Sequence, residues 1–214
     1  MNYPQFWLKA THKQKRFYSL IFMFILAVAA TLIGLAIPVS AEEARMINDM
    51  LNQTVTEGTA AGTLPQDIFI NNFSLCLLMF VPLAGAAIGL FILFSTGQAF
   101  RAVFEIQAGN FAATPAPGVS GTPIPTLSPT PLPSISPETA ILTLGLIGAV
   151  FLLEYVSYTI AMTESVWLFR RIMQWRAKME LRREVKYLLV FIGVAALMLV
   201  IGAFVETYAL SVGT

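Results

Sequence analysis

Long apolar stretches alternate with short polar segments along this chain of 214 residues. The first stretch, residues 17–37, contains no charged residue. At about 1.5 Å per residue, a helix of that length crosses a hydrocarbon core roughly 30 Å thick. Similar stretches follow at residues 68–94, 139–169 and 187–210. The pattern predicts an all-α protein, a polytopic bundle of transmembrane helices forming one integral membrane domain.

The charges between the apolar stretches predict how the chain is oriented. Four basic residues precede the first stretch, and no acidic residue occurs before Glu42. Residues 170–186 carry seven basic and two acidic residues, whereas residues 38–67 carry five acidic residues and one basic residue. Because basic segments stay on the cytoplasmic side, the N-terminus is predicted to be cytoplasmic and residues 38–67 to form an outer loop. The C-terminus is then extracytoplasmic, in a multi-pass protein of the cell membrane.

A cleaved signal peptide is the alternative for the N-terminal segment. Residues 39–41 are small and resemble a cleavage site. However, the apolar stretch before them exceeds the usual signal-peptide core of about 7 to 15 residues. A permanent first span is therefore favoured.

Residues 95–113 decide the number of crossings. The second span ends in the cytoplasm, and the span at 139–169 must begin outside to end at the basic residues. We therefore expect residues 95–113, about 28 Å long as a helix, to form a short or half-inserted crossing, which makes about five. The alternative is a cytoplasmic amphipathic helix.

Residues 114–137 hold eight of the twelve prolines and no charge, which predicts an extended extracytoplasmic segment.

The basic segment at residues 170–186 is predicted to be an amphipathic helix on the inner leaflet. Apolar side chains alternate with basic ones there, as in helices that bind anionic lipid. A surface that docks a cytosolic protein has the same pattern. The residues assigned to this lipid or partner surface are Arg170, Arg171, Trp175, Arg176, Lys178, Arg182 and Arg183.

Several polar residues lie within or beside the apolar stretches, where they are costly unless they face the bundle or water. The predicted intramembrane polar cluster consists of Asn71, Asn72, Arg101, Glu105, Glu154, Tyr158, Glu164 and Glu206. Glu154 is nearest to mid-depth. One interpretation is a structural hydrogen bond to an asparagine or tyrosine across the bundle. The other is a protonated carboxyl that takes part in ion or solute movement.

The other members of this cluster have simpler interpretations. Arg101 and Glu105 are four residues apart and are predicted to pair on one helix. Glu164 is expected to form a salt bridge with the cytoplasmic arginines, and Glu206 to be solvated near the outer boundary. Residues 71–72 are interpreted as a helix cap, with hydrogen bonding to neighbouring helices as the alternative.

Composition excludes several classes of function. The chain is 57% apolar and 12% charged with a net charge of +1, which argues against nucleic-acid binding. One cysteine and one histidine cannot supply an intramolecular disulfide, a Cys/His zinc cluster or a Cys-His catalytic pair. No nucleotide-binding motif occurs. We therefore expect a protein that is not an enzyme and has no cofactor or metal. Gly85 and Gly89, one helical turn apart, are predicted to permit close helix packing.

Three motifs resemble the stage II sporulation protein M family of integral membrane proteins. They are DIFINN at residues 67–72, LEYVSYTIA at residues 153–161 and GAFVE at residues 202–206. The chain departs from the family at Val150 and Phe151, where a His-Gly pair often stands, and in its proline-rich insertion.

This resemblance implies a multi-helix fold and a non-enzymatic role. The named member of the family resembles a scaffold that holds cell-wall-degrading partners at a membrane. The first hypothesis is accordingly a membrane scaffold or assembly subunit, with membrane lipids and other membrane or cell-envelope proteins as partners and a homo-oligomer left open. The alternative is a transporter-like or channel-like protein that uses the intramembrane Glu154.

Overall fold

The computed structural model describes residues 9–109, 137–173 and 178–213. Over these residues the chain forms six helices and no strand, which confirms the all-α prediction. In chain order they are α1 (His12–Ala36), α2 (Ala41–Ala61), α3 (Leu64–Met79), α4 (Ala84–Gln107), α5 (Pro137–Met173) and α6 (Lys178–Gly213). Four of them, α1, α4, α5 and α6, are long and apolar enough to cross a membrane. Of the predicted proline-rich segment, residues 114–136 lie outside the described residues.

Contacts along α5 establish the direction of every long helix. The α3 residues Asn72 and Cys76 contact Glu154 and Ser157 in the same order, so α3 runs parallel to α5. By contrast, α4 runs antiparallel, since its beginning packs near Ser165 and its Phe100 packs on Phe151, earlier in α5. The first turns of α1 and α6 meet at the end of α5. Helices α1, α4 and α6 therefore point one way, and α3 and α5 point the other.

Helix α5 is the centre of the bundle. It packs against α1, α3, α4 and α6, most extensively against α6. Nine consecutive residues of α5, at positions 157–165, are buried. An amphipathic helix buries only one face, so complete burial over more than two turns places this part of α5 inside a ring of other helices.

Residues 38–67 were predicted to form an outer loop, but most of them are helical, so the loop conformation is wrong. Helix α2 begins after Ser40, whose hydroxyl accepts a hydrogen bond from the Glu43 N–H at 3.2 Å, while the Ser40 N–H and hydroxyl donate to the Glu43 carboxylate. These hydrogen bonds lower the pKa of Glu43 from its usual value. This reciprocal cap satisfies backbone donors that a helix start leaves free. Gly62, at φ 70°, ends the helix.

The single span predicted for residues 68–94 is also wrong. The chain leaves α3 after Met79 and enters α4 at Ala84, so the apolar stretch contains a tight reversal at residues 80–83. Pro82 lacks the N–H that a continuous helix would need. The Val81 carbonyl accepts two hydrogen bonds, from the Gly85 N–H at 2.8 Å and from the Ser165 hydroxyl of α5 at 2.5 Å. Of residues 95–113, predicted as a separate short or half-inserted crossing, residues 95–107 continue α4.

Leu83 occupies an unusual backbone conformation in this reversal. It has φ 70° and ψ −55°, and the Ala84 N–H donates to the Pro82 carbonyl at 2.9 Å. This is the rare positive-φ form of the γ-turn, which is strained for a residue with a side chain. Leu83 is also 63% exposed, so its side chain contributes little to the core.

We expect the Leu83→Gly variant to be more stable than the parent protein by about 1 kcal/mol, because glycine adopts positive φ without a steric penalty. Thermal unfolding of the purified protein in detergent measures the change. Leu197→Gly is the matched control, since Leu197 is 62% exposed in the middle of α6. At this position inside a helix, glycine should lower the stability of the protein by roughly 1 kcal/mol. Equal destabilisation of both variants would contradict strain at Leu83.

A separate amphipathic helix at residues 170–186 is not found among the described residues. Arg170 and Arg171 belong to the last turn of α5, and α6 already begins at Lys178. Both helices therefore extend beyond their apolar parts, and a contact between Arg171 and Glu184 joins their ends. The ion pair helps to hold these two ends against each other.

Gly85 and Gly89 pack closely, as predicted, and a methyl group would fit at neither position. A Cβ on Gly85 would lie 2.0 Å from the Met79 carbonyl oxygen, and one on Gly89 would lie 2.5 Å from the Met162 sulfur. Gly85 thus lets α4 fold back tightly after the reversal, and Gly89 brings α4 against α5.

A second pair of glycines, not identified from the sequence, joins α1 to α4. A Cβ on Gly34 would lie 2.0 Å from the Phe94 carbonyl oxygen, and one on Gly97 would lie 2.1 Å from the Thr31 carbonyl oxygen. The two backbones touch directly here. Gly97 follows Gly85 and Gly89 at multiples of four residues, which is the signal that the sequence carried.

Candidate functional site

Glu154 of α5 lies where three helices converge. The Asn72 side-chain amide of α3 donates a hydrogen bond to Glu154 Oε1 at 2.5 Å. From α6, Glu206 is close enough for its charge to interact with that of Glu154. Tyr158, one turn along α5, is only 5% exposed. The structure therefore brings together four of the predicted intramembrane residues and pairs Asn72 with Glu154.

The asparagine pair and Glu206 have roles different from those predicted. Helix α3 begins at Leu64 after the N-cap Thr63, so residues 71–72 lie two turns inside the helix and do not cap it. Asn71 is exposed, and its side chain donates only a long 3.5 Å contact to Asn72. Glu206 is half-buried beside Glu154, whereas we expected it to be solvated. Asn72 and Glu206 lie on the faces of α3 and α6 that are turned toward α5.

A second polar contact links three helices at a similar level. The Thr31 hydroxyl of α1 lies 2.5 Å from the Tyr155 hydroxyl of α5 and 3.1 Å from the Leu93 carbonyl of α4. None of these residues was identified from the sequence. A threonine in a long apolar stretch is unremarkable alone, and its partners are 62 and 124 residues away. The contact stabilises the same helix junction that the glycine pair permits.

Arg101 and Glu105 form the ion pair that their spacing predicted. The Arg101 side chain is 40% exposed and that of Glu105 is 14% exposed. A pair on one helix, at a partly exposed position, contributes little energy but neutralises both charges.

The ends of α1, α5 and α6 meet in a cluster of buried charges, here called the inner ion cluster: Arg16, Glu164, Arg171 and Glu184. Arg16 lies 3.4 Å from the Glu164 carboxylate and also contacts Glu184. Arg171 Nε lies 3.5 Å from Glu184 on the other side. The side chains of Glu164 and Glu184 are 6% and 3% exposed. Their charges are therefore compensated by arginines rather than by water.

Aromatic rings complete the environment of the inner ion cluster. The Arg16 guanidinium lies 5.7 Å from the ring centre of Trp167 and 5.1 Å from that of Tyr187. His12 packs on Trp167, with ring centres 5.1 Å apart, and also contacts Arg171. Cations are attracted to the faces of aromatic rings, most strongly where water is excluded. Arg16 thus contacts two carboxylates and two aromatic rings.

The salt bridge predicted for Glu164 exists, but its partner is different. We expected Arg170 or Arg171, which are close in sequence. Instead, Arg16 of α1 occupies that place, while Arg170 lies over Trp167 at 5.6 Å. Arg16 is the last basic residue before the first apolar stretch, so the sequence did place it at the correct end of the bundle.

The other residues of the predicted lipid or partner surface lie near the start of α6 or outside the described part. Trp175 and Arg176 fall within residues 174–177, which the structure does not describe. Lys178, Arg182 and Arg183 belong to the first turns of α6, and Arg182 is exposed. Arg182 thus remains accessible to lipid or to a partner.

Both polar clusters join helices to one another. Among the described residues, no group of three or more His, Cys, Asp or Glu side chains is arranged to hold a metal ion. The chain matches no protein-family model, no curated protein and no solved structure. The contacts of Glu154 and of the inner ion cluster are therefore the basis for a functional proposal.

Proposed function

We propose that this protein is a non-enzymatic membrane scaffold or assembly subunit, related in role to the stage II sporulation protein M family that its motifs resemble. The observation that carries the proposal is the hydrogen bond from Asn72 to Glu154. It gives the carboxylate at the centre of the apolar stretch 139–169 a structural task at a helix junction. Interhelical hydrogen bonds of this kind stabilise bundles in which lipid provides no hydrophobic drive between helices.

The proposal includes a topology with five crossings. Helices α1, α4 and α6 would run outward and α3 and α5 inward, with α3 as the short crossing in place of residues 95–113. Sixteen residues in α3 are about 24 Å long, and the reversal at residues 80–83 lies beside Ser165, near the basic end of α5. Basic residues at the starts of α1 and α6 favour a cytoplasmic N-terminus and an extracytoplasmic C-terminus.

A groove between α1 and α5 is the proposed docking site for a transmembrane helix of a partner protein. Its volume is ≈ 320 Å³, and its lining includes Val28, Leu32, Gly148 and Leu152. Gly145 and Gly148 are one turn apart, and no atom of the described residues lies within 4 Å of a Cβ added at either position. Uncovered small residues on a membrane helix let a second helix approach closely.

Copurification tests the scaffold directly. After mild solubilisation from native membranes, we expect a companion membrane protein in near-stoichiometric amount. The Gly148→Leu variant should lose most of it, at least tenfold, because the larger side chain fills the groove. Gly193→Leu, at an equally uncovered glycine of α6 outside the groove, should retain it. Retention by both variants would exclude this groove.

The transporter alternative makes a different prediction for the same protein. A path that uses Glu154 requires a polar cavity that reaches this side chain. Of the two cavities that the described residues form most clearly, neither is lined by Glu154. In reconstituted vesicles, ion or solute flux that Glu154→Gln abolishes would overturn the scaffold proposal. We expect no such flux.

A further inference from the structure

A cavity of ≈ 460 Å³ lies beside the inner ion cluster, between α1, α5 and α6. Its polar end is formed by His12, Lys13 and Arg16 of α1 together with Thr163 and Glu164 of α5. These residues belong to the first turn of α1 and the last part of α5. The polar end therefore faces the predicted cytoplasmic boundary of the bundle.

Two buried polar atoms at this cavity have no hydrogen-bond partner among the described residues: Thr163 Oγ1 and Arg16 Nε. Thr163 is only 3% exposed. By contrast, the hydroxyls of Ser157, Thr159 and Ser165 on the same helix each donate to a backbone carbonyl. Buried polar groups are almost always paired, so a bound ligand with an acceptor atom accounts for this exception. Both unpaired atoms are able to donate to such an atom.

The charge around the cavity favours an anion. The cavity lining carries two basic side chains, Lys13 and Arg16, and two acidic ones, Glu164 and Glu184. Both carboxylates are already in contact with arginine, since Arg16 contacts the two of them and Arg171, outside the lining, contacts Glu184. A cationic ligand would have to displace an arginine from a buried carboxylate. An anionic oxygen, by contrast, would accept charge-assisted hydrogen bonds from donors already in place.

The rest of the cavity lining is apolar and leads away from the polar end. Phe17 and Leu20 follow Arg16 along α1, Ile160 precedes Thr163 on α5, and Phe191 follows Tyr187 on α6. Each of these four apolar side chains lies nearer to the middle of the bundle than the polar residue beside it. The cavity thus offers a charged end at the boundary and an apolar path into the membrane, which suits an amphiphile.

We propose that this cavity binds an anionic phospholipid of the cytoplasmic leaflet. The headgroup phosphate accepts hydrogen bonds from Arg16 Nε–H and the Thr163 hydroxyl and is neutralised by Lys13. The acyl chains follow the apolar lining formed by residues such as Phe17 and Phe191. The leaflet depends on the proposed topology, whereas the site itself is independent of any scaffold partner.

Native mass spectrometry of the full-length protein in detergent tests this site. With equal amounts of phosphatidylglycerol and phosphatidylcholine, we expect one phosphatidylglycerol to be retained preferentially. The Thr163→Val/Lys13→Gln variant should bind it roughly tenfold more weakly, the loss expected for hydrogen bonds to a charged group. Thr159→Val/Lys15→Gln is the matched control, because it removes a buried hydroxyl and a lysine from the same helices outside the cavity lining.

The outcomes are distinct from those that test the scaffold, because no companion protein is involved. Equal binding of the two lipids, or equal loss in the variant and its control, would overturn the proposal. A third arm adds inorganic phosphate, and displacement of the lipid at millimolar phosphate would show a free-anion site instead. Lys13 is exposed, so the single variant Lys13→Gln decides the question if Thr163→Val lowers the yield of folded protein.

Discussion

The Gly97→Leu variant is expected to lose its folded bundle. A Cβ at this position would lie 2.1 Å from the Thr31 carbonyl oxygen and 2.8 Å from the Leu35 nitrogen, which are both backbone atoms of α1. Backbone atoms cannot move aside as a flexible side chain does, so α1 and α4 would have to separate. Separation also breaks the hydrogen bond from the Thr31 hydroxyl to the Leu93 carbonyl of α4. We expect a loss of at least about 3 kcal/mol, the upper end of overpacking penalties.

Thermal unfolding and size-exclusion chromatography in detergent measure this effect. Gly193→Leu is the control, because Gly193 is also a helical glycine in an apolar stretch, but no atom in the described part of the chain lies within 4 Å of a Cβ added there. The control should unfold within a few degrees of the parent protein. The unfolding temperature of Gly97→Ala should lie between those of Gly97→Leu and Gly193→Leu, since one methyl group already overlaps the α1 backbone. A stable, monodisperse Gly97→Leu protein would contradict the contact between α1 and α4.

The Arg16→Gln variant is expected to be the most damaging loss of a charge. Arg16 is the cation that contacts Glu164, and it shares Glu184 with Arg171. Removing it leaves Glu164 buried without its counter-charge. Breaking a buried ion pair by removing one partner costs about 3–5 kcal/mol. The cation–π contacts with Trp167 and Tyr187 disappear as well.

A second substitution separates the charge from the packing. In Arg16→Gln/Glu164→Gln the carboxylate that lost its partner is neutral, while Glu184 keeps Arg171. We expect the double variant to regain at least half of the lost unfolding temperature. Lys15→Gln, which removes the neighbouring positive charge outside the inner ion cluster, should behave like the parent protein. If Arg16→Gln and Lys15→Gln unfold at the same temperature, the cluster does not stabilise the bundle.

The sequence predicted only part of the inner ion cluster. Positive residues before the first apolar stretch and after the third placed both groups at one end of the bundle. Which cation would reach Glu164 depended on the position of α1 relative to α5, 148 residues away in sequence. Arg170 and Arg171 were closer along the chain, yet they lie on the same helix as Glu164, more than one turn further on. Arg16 approaches from a neighbouring helix and contacts Glu164 directly.

The contacts of Glu154 were also predicted only in part from the sequence. Its depth in an apolar stretch was sufficient to predict a partner within the bundle, and Asn72 was among the candidates. The sequence did not distinguish a cap from an interhelical hydrogen bond, because the true start of α3 at Leu64 lies in a segment that was interpreted as a loop. Signals for the helices there were present, in the Ser40 and Glu43 cap and in Gly62, but the acidic composition concealed them.

The sequence by itself determined what depends on neighbouring residues or on solvent. Runs of apolar residues specified helices of membrane-spanning length, the charges between them specified which ends belong together, and four-residue spacing paired Arg101 with Glu105. Only the tertiary structure decided which helix faces meet. In lipid, buried and exposed faces are equally apolar, so hydrophobic periodicity does not mark the packing face. The break at residues 80–83 and the contact of Gly34 and Gly97 with neighbouring backbones follow from long-range packing, which local pattern does not encode.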